Sequence, residues 1–106
     1  MRKFREFKDV LLEDLQNFES AKEYLSVALE EYEKDKDSEA FLLALRDVAE
    51  ARGGLSKLAE KSHLNRQNLY KALSKKGNPK LDTIETVLHG LGFRLSIEPL
   101  KEQPHF

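Results

Sequence analysis

Seven basic side chains, Lys57, Lys61, Arg66, Lys71, Lys75, Lys76 and Lys80, crowd a stretch in which Glu60 is the only carboxylate. Among them runs Asn65-Arg66-Gln67-Asn68, three amides and a guanidinium at the head of an apolar-periodic segment. Those residue types suit recognition of double-stranded DNA. Arginine makes paired hydrogen bonds to guanine and glutamine to adenine along the major-groove edge. Lysines along a phosphate backbone displace counterions and add affinity without sequence preference. The candidate DNA-binding residues are therefore Lys57, Asn65, Arg66, Gln67, Tyr70, Lys71, Lys75 and Lys76. Arg66, Gln67 and Lys71 are placed to read bases, and Lys57, Lys61, Lys75, Lys76 and Lys80 to hold phosphates.

Such a constellation needs a helix that shows one face to DNA and buries the other. Residues 55–79, LSKLAEKSHLNRQNLYKALSKKGNP, read as two short helices joined by a tight turn. In a helix-turn-helix the first helix crosses the backbone and the second enters the groove. Ala59 is the small residue required where the two helices pack closest, and Leu64 is the apolar residue of the turn. Leu69, Ala72 and Leu73 form the inner face of the second helix. Asn65 stands at its cap, where the first free amides and the positive end of the dipole favour phosphate. Tyr70 either covers the helix end or touches a phosphate. Pro79 closes the region, because proline cannot continue a helix and disfavours helix at Asn78.

The remaining elements also have helical spacing. Phe4, Phe7, Leu11, Leu15 and Phe18 predict a first amphipathic helix. Ser20-Ala21-Lys22-Glu23 reads as a capping box opening a second, with Ala21, Tyr24, Leu25, Ala28, Leu29 and Tyr32 on one stripe. Asp37 or Ser38 caps a third from about Glu39 to Arg52, with Phe41, Ala44, Leu45 and Val48 inward and Gly53-Gly54 as its stop. Asp82-Thr83-Ile84-Glu85 reads as another capping box, opening a helix with Ile84, Val87, Leu88 and Leu91 inward and Gly92 at its close. Residues 93–98, FRLSIE, alternate apolar with polar and predict a short β-strand. A lone strand needs a partner, and a second copy across a two-fold axis would supply one. The expected fold is all-α, a bundle of about five to six helices with a short C-terminal strand.

At 106 residues the chain has room for one core. Its net charge of −1 conceals an asymmetry: residues 1–50 carry 8 Lys/Arg against 14 Asp/Glu, and residues 51–106 carry 10 against 5. The acidic half suits a basic protein partner or a solvated helix face, and the basic half suits phosphate. The expected organisation is an acidic helical arm over 1–35, a DNA-binding domain with its strand over 36–100, and a tail over 101–106. There is no cysteine, hence no thiolate metal site or Cys nucleophile. His63, His89 and His105 have no metal-site spacing, and no cofactor is expected. No constellation for catalysis is present, so the chain reads as a non-enzyme. No apolar run approaches the ~20 residues of a membrane span, and a cytoplasmic location is expected.

Three segments, AKEYLSVALEEY at 21–32, FLLALRDVAEARGGLSKLAEK at 41–61 and NRQNLYKALSKKGNPKLDTIETVLHGLGFRL at 65–95, resemble a known family. They are similar to the antidote (antitoxin) proteins of bacterial addiction modules, within the wider Cro/C1-type helix-turn-helix group. One departure is Ser62-His63, where the wider group usually has an apolar residue followed by glycine. The resemblance implies a type II antitoxin that binds and blocks a small, basic toxin of RelE/ParE-like fold. It also implies repression of its own operon through a palindromic operator, as a homodimer. By analogy and by charge, the toxin contacts fall within residues 1–35, with Phe4, Phe7, Leu11, Leu12, Glu13 and Asp14 as candidates and the acidic run Glu30, Glu31, Glu33 behind them. The competing readings are a stand-alone, phage-derived helix-turn-helix transcriptional regulator without a toxin, and a helical interaction module that has lost DNA binding.

Overall fold

A computed structural model of the chain describes residues 6–100, so Phe4 and the 101–106 tail lie outside the described residues. Six helices follow one another: α1 (Phe7–Asp14), α2 (Phe18–Asp35), α3 (Ser38–Ala51), α4 (Leu55–Lys61), α5 (Arg66–Ala72) and α6 (Leu81–Gly90). The all-α expectation holds for these residues. The expected strand at residues 93–98 is not seen in the single chain, where these residues lie in neither helix nor strand. Nothing else among the described residues is a strand, so no ladder is available among them.

Helix α3 is the hub. Leu42, Ala44, Leu45, Val48 and Ala49 on it are buried, and α1, α2 and α4 pack directly against it. The core runs on through Leu15, Ala21 and Leu25 on one side and Leu58, Ala59, Leu69, Leu73, Val87, Leu88 and Leu91 on the other. Asp47 lies in the same buried face at 6% exposure. Its Oδ2 accepts a hydrogen bond of 2.8 Å from the Tyr24 hydroxyl on α2. An inward carboxylate was not among the expected core residues, and Leu29, expected inward, is 40% exposed.

Two helix starts differ from the sequence expectation. The first helix ends at Asp14 instead of running to Phe18, and α2 is capped by Asn17, whose side chain accepts the Ser20 amide at 3.0 Å. Asparagine caps as well as serine. Starting at Phe18 also stacks that ring on Phe93, with centroids 4.6 Å apart and planes within 9°. Helix α6 starts at Leu81, with Lys80 as a cap that makes no side-chain bond. Asp82 is left in the first turn, where its charge suits the positive helix end. Asp37 caps α3 as expected, accepting the Glu39 amide at 3.0 Å.

The turn between α4 and α5 is a Schellman closure. The Leu64 amide donates to the Ala59 carbonyl (2.8 Å) and the His63 amide to the Glu60 carbonyl (3.3 Å). Such a closure needs a left-handed residue at its corner, and His63 supplies it with φ +57°. The same closure follows α6, where Gly92 has φ +97° and Phe93 donates to Leu88. Histidine therefore occupies a position whose geometry favours glycine, which accounts for the departure at Ser62-His63 without loss of the turn.

Tyr24→Phe leaves the buried Asp47 oxygen without its donor and should lower the unfolding free energy by about 1–3 kcal/mol in denaturant titration. Burial, the hydrogen bond to Asp47 and the charge of Asp47 together raise the Tyr24 hydroxyl from its ordinary 10.0 to about 12. A group raised in the folded state stabilises fully below its unfolded pKa and loses that contribution as pH rises through the folded one. The advantage of wild type over Tyr24→Phe should accordingly shrink between pH 10 and about 12. At the turn, His63→Val should cost about 1–2 kcal/mol, because a branched Cβ is poorly tolerated at positive φ. His63→Gly should fold at least as stably as wild type in the same titration.

Candidate nucleic-acid interface

Helix α5 is set by its two ends. Asn65, extended at φ −71° and ψ 127°, accepts the Asn68 amide at 3.0 Å and so caps the helix. At the other end the Ser74 hydroxyl donates to the Lys71 carbonyl at 2.7 Å. Between them Leu69 and Leu73 are buried at 1% and 0% exposure, Ala72 is half-buried, and Leu64 packs on the core from the turn. The opposite face is left to solvent.

That free face gathers four of the eight sequence-predicted residues. Arg66, Gln67, Tyr70, Lys71 and Ser74 line one open groove. The Arg66 guanidinium lies 5.4 Å from the Tyr70 ring centroid, one helical turn away, a cation–π contact that limits how the guanidinium can swing. Tyr70 itself is 44% exposed. The face offers a forked donor, an amide and an ammonium on a single helical surface.

The other candidate cations stand apart from this groove. Lys75 approaches Glu39 of α3 at 3.9 Å, a solvent-exposed pair of little energetic weight. Lys76 is exposed beyond the helix end. Lys57 lines a different hollow of about 170 Å³, together with Arg52, Lys61 and His89. Arg52 and His89 were not among the sequence candidates. They lie far from each other in the chain, and only the packing of α4 against α3 and α6 brings them together.

Gly77 of the Gly-Asn-Pro segment has a steric explanation. A Cβ there would run into the Ala72 carbonyl, because the chain folds back over the end of α5 with the Gly77 amide donating to Ser74 at 2.9 Å. A larger residue would have to lift this loop from the helix that carries Arg66 and Gln67.

At the acidic end, Phe7, Val10, Leu11, Glu13, Asp14 and Asn17 line a shallow depression. Phe7 is 81% exposed and Val10 47%, while Leu11 and Leu12 are half-buried and Glu13 and Asp14 exposed. No residue of α1 is fully buried, and Lys8 ties the helix to α3 through Glu50 at 3.3 Å. Among the described residues no group of three His, Asp or Glu side chains is arranged to hold a metal. No described helix is long and apolar enough to cross a membrane.

The chain matches the family described as "Probable addiction module antidote protein" over residues 5–99. A protein of Haemophilus influenzae described as uncharacterized is 32% identical over 93 residues, which cover 83% of this chain and 95% of that protein. No solved structure matches. With the match running through all six helices, the chain belongs to the family of probable addiction-module antidote proteins.

Proposed function

We propose that the protein is the antitoxin of a type II toxin–antitoxin module, binding a small basic toxin of RelE/ParE-like fold and repressing its own operon. Family membership supports the toxin half of this reading. The DNA half rests on one observation, the exposed outer face of α5 with Arg66, Gln67, Tyr70 and Lys71 along one groove. In this reading α4 and α5 form a Cro/C1-type helix-turn-helix. Arg66 and Gln67 read base edges, Lys71 reaches a base or phosphate, and Asn65, Lys57, Lys75 and Lys76 hold the backbone. The protein works by binding, without catalysis, in the cytoplasm where its operator lies.

The toxin meets the arm over 1–35, at the exposed apolar side of α1. Phe7, Val10 and Leu11 provide contact area there, and Glu13 and Asp14 suit a basic partner. The DNA-reading unit spans 36–100. Two copies act together, pairing residues 93–98 across a two-fold axis as a strand that has no partner among the described residues of one chain. Arg94 to Glu98 make no backbone hydrogen bond among the described residues, and Ile97 is 99% exposed. A two-fold places the two recognition helices one DNA turn apart, ~34 Å, on a palindromic operator.

Arg66→Ala and Gln67→Ala should each weaken operator binding by about 1–3 kcal/mol and relax base choice at one position, measured by fluorescence anisotropy on operator variants. Unchanged affinity in both would remove α5 from the interface. The double variant Phe7→Ala/Val10→Ala should weaken capture of the protein encoded beside this gene by at least about tenfold. Its unfolding midpoint should stay within experimental scatter, since both side chains are already exposed. Equal binding by the double variant would place the toxin contacts elsewhere.

A further inference from the structure

The hollow that contains Lys57 has features that neither the groove on α5 nor the apolar side of α1 shares. Its lining draws Arg52 from the end of α3, Lys57 and Lys61 from α4, and His89 from the last turn of α6. Ala49, Leu58 and the Gly90-Leu91-Gly92 corner complete its wall, and no carboxylate lines it. Lys57, Lys61 and His89 make no ion pair among the described residues.

Arg52 is held in position, and the stem of Lys57 lies close to the backbone. The Arg52 guanidinium lies 5.5 Å from the Phe18 ring centroid, and its Nη1 donates to the Gln16 carbonyl at 3.2 Å. The Lys57 stem lies over Gly53, in space that a Cβ would occupy, since an added Cβ would come within 2.8 Å of the lysine Cδ. Gly90 acts similarly on the opposite wall. A Cβ there would strike Ser62 and Leu58, so its absence lets α6 approach the end of α4.

Cations at helix ends have an ordinary role, because Arg52, Lys61 and His89 each sit at or near a helix C-terminus, where positive charge offsets the dipole. That role accounts for one cation per helix, and three helix ends together amount to about −1.5 charges. Three permanent cations, with His89 beside them, exceed this, and Lys57 lies in the first turn of α4, where the helix dipole does not favour a cation. The result is a net positive hollow of about 170 Å³ with no carboxylate in its lining, and guanidinium and ammonium groups of this kind suit a phosphate oxygen.

We propose that Arg52, Lys57, Lys61 and His89 form a phosphate-binding site separate from the α5 groove. The site does not depend on base reading by Arg66 and Gln67. Its phosphate comes either from a nucleic-acid backbone outside the groove contacts or from a free phosphorylated small molecule.

The test is titration of the full chain with inorganic pyrophosphate, and then phosphate, followed by amide NMR. Saturable shifts should centre on Arg52, Lys57, Lys61 and His89. Binding should weaken at least about tenfold in Lys57→Gln and in Lys61→Gln, and be unchanged in Lys71→Gln. Using two separate lysine variants, each checked by its unfolding midpoint, guards against loss through misfolding. A second arm adds promoter DNA. If the backbone is the source, DNA displaces pyrophosphate and Lys61→Gln lowers the salt slope of DNA binding by about one. If a free ligand is the source, DNA leaves pyrophosphate bound and Lys61→Gln leaves the salt slope unchanged. Absence of saturable pyrophosphate binding, or equal weakening in Lys71→Gln, would overturn the proposal. A failure confined to Arg66 and Gln67 on operator DNA would overturn base reading and leave this site standing.

Discussion

The buried face of α3 is the constraint on which the rest of the molecule depends. Helices of seven or eight residues do not persist in water alone, and α1, α4 and α5 are all of that length. Their positions come from packing, and α1 and α4 both pack on α3. Within that apolar face Asp47 is tolerated because Tyr24 donates to it at 2.8 Å. A hydrogen bond is directional, so this one constrains how α2 sits on α3 in a way that aliphatic contacts alone do not. The faces offered to partners inherit their separation from this arrangement, with α1 on α3 directly and α5 reached through α4.

Close approach of backbones does the remaining positioning. Gly77 lets the chain fold over the end of α5, and Gly90 lets α4 meet α6. His63 is the exception, a side chain at a left-handed corner where glycine would fit without strain. The corner is held because its two backbone bonds close the turn and because Leu64 beyond it packs on the core. The chemistry of the α5 face is thus exposed and adaptable, while its placement is set by contacts that leave little room for change. The Phe18–Phe93 stack, with Arg52 over the outer ring, joins the start of α2 to the segment after α6 and closes the arrangement.

Much of this was legible in the sequence wherever one local rule acted alone. Apolar periodicity marked α2, α3 and α6, Gly53-Gly54 marked the end of α3, and Leu69 and Leu73 marked the inner side of α5. Since an amphipathic helix has one buried side, the exposed Arg66, Gln67, Tyr70 and Lys71 followed from that last pair. Legibility failed where two local solutions competed or where the cause was distant. Asn17 and Ser20 are both good caps, and the stack of Phe18 on Phe93, remote in sequence, accompanies the choice of Asn17. Asp47 resembled any solvated helix carboxylate, and nothing near it in sequence announced the Tyr24 hydroxyl. The grouping of Arg52, Lys57, Lys61 and His89 depends on three helices meeting and had no periodic signature.

The proposed function divides labour on one core, with DNA at α5 and the protein partner at α1. Hydrogen–deuterium exchange distinguishes the two faces when recorded on the full chain alone, with promoter DNA, and with the product of the neighbouring gene. DNA should slow exchange across Arg66–Ala72 and leave Phe7–Asp14 unchanged, and the protein partner should do the reverse. Protection of the same helix by both partners, or protection of α1 by DNA, would contradict it.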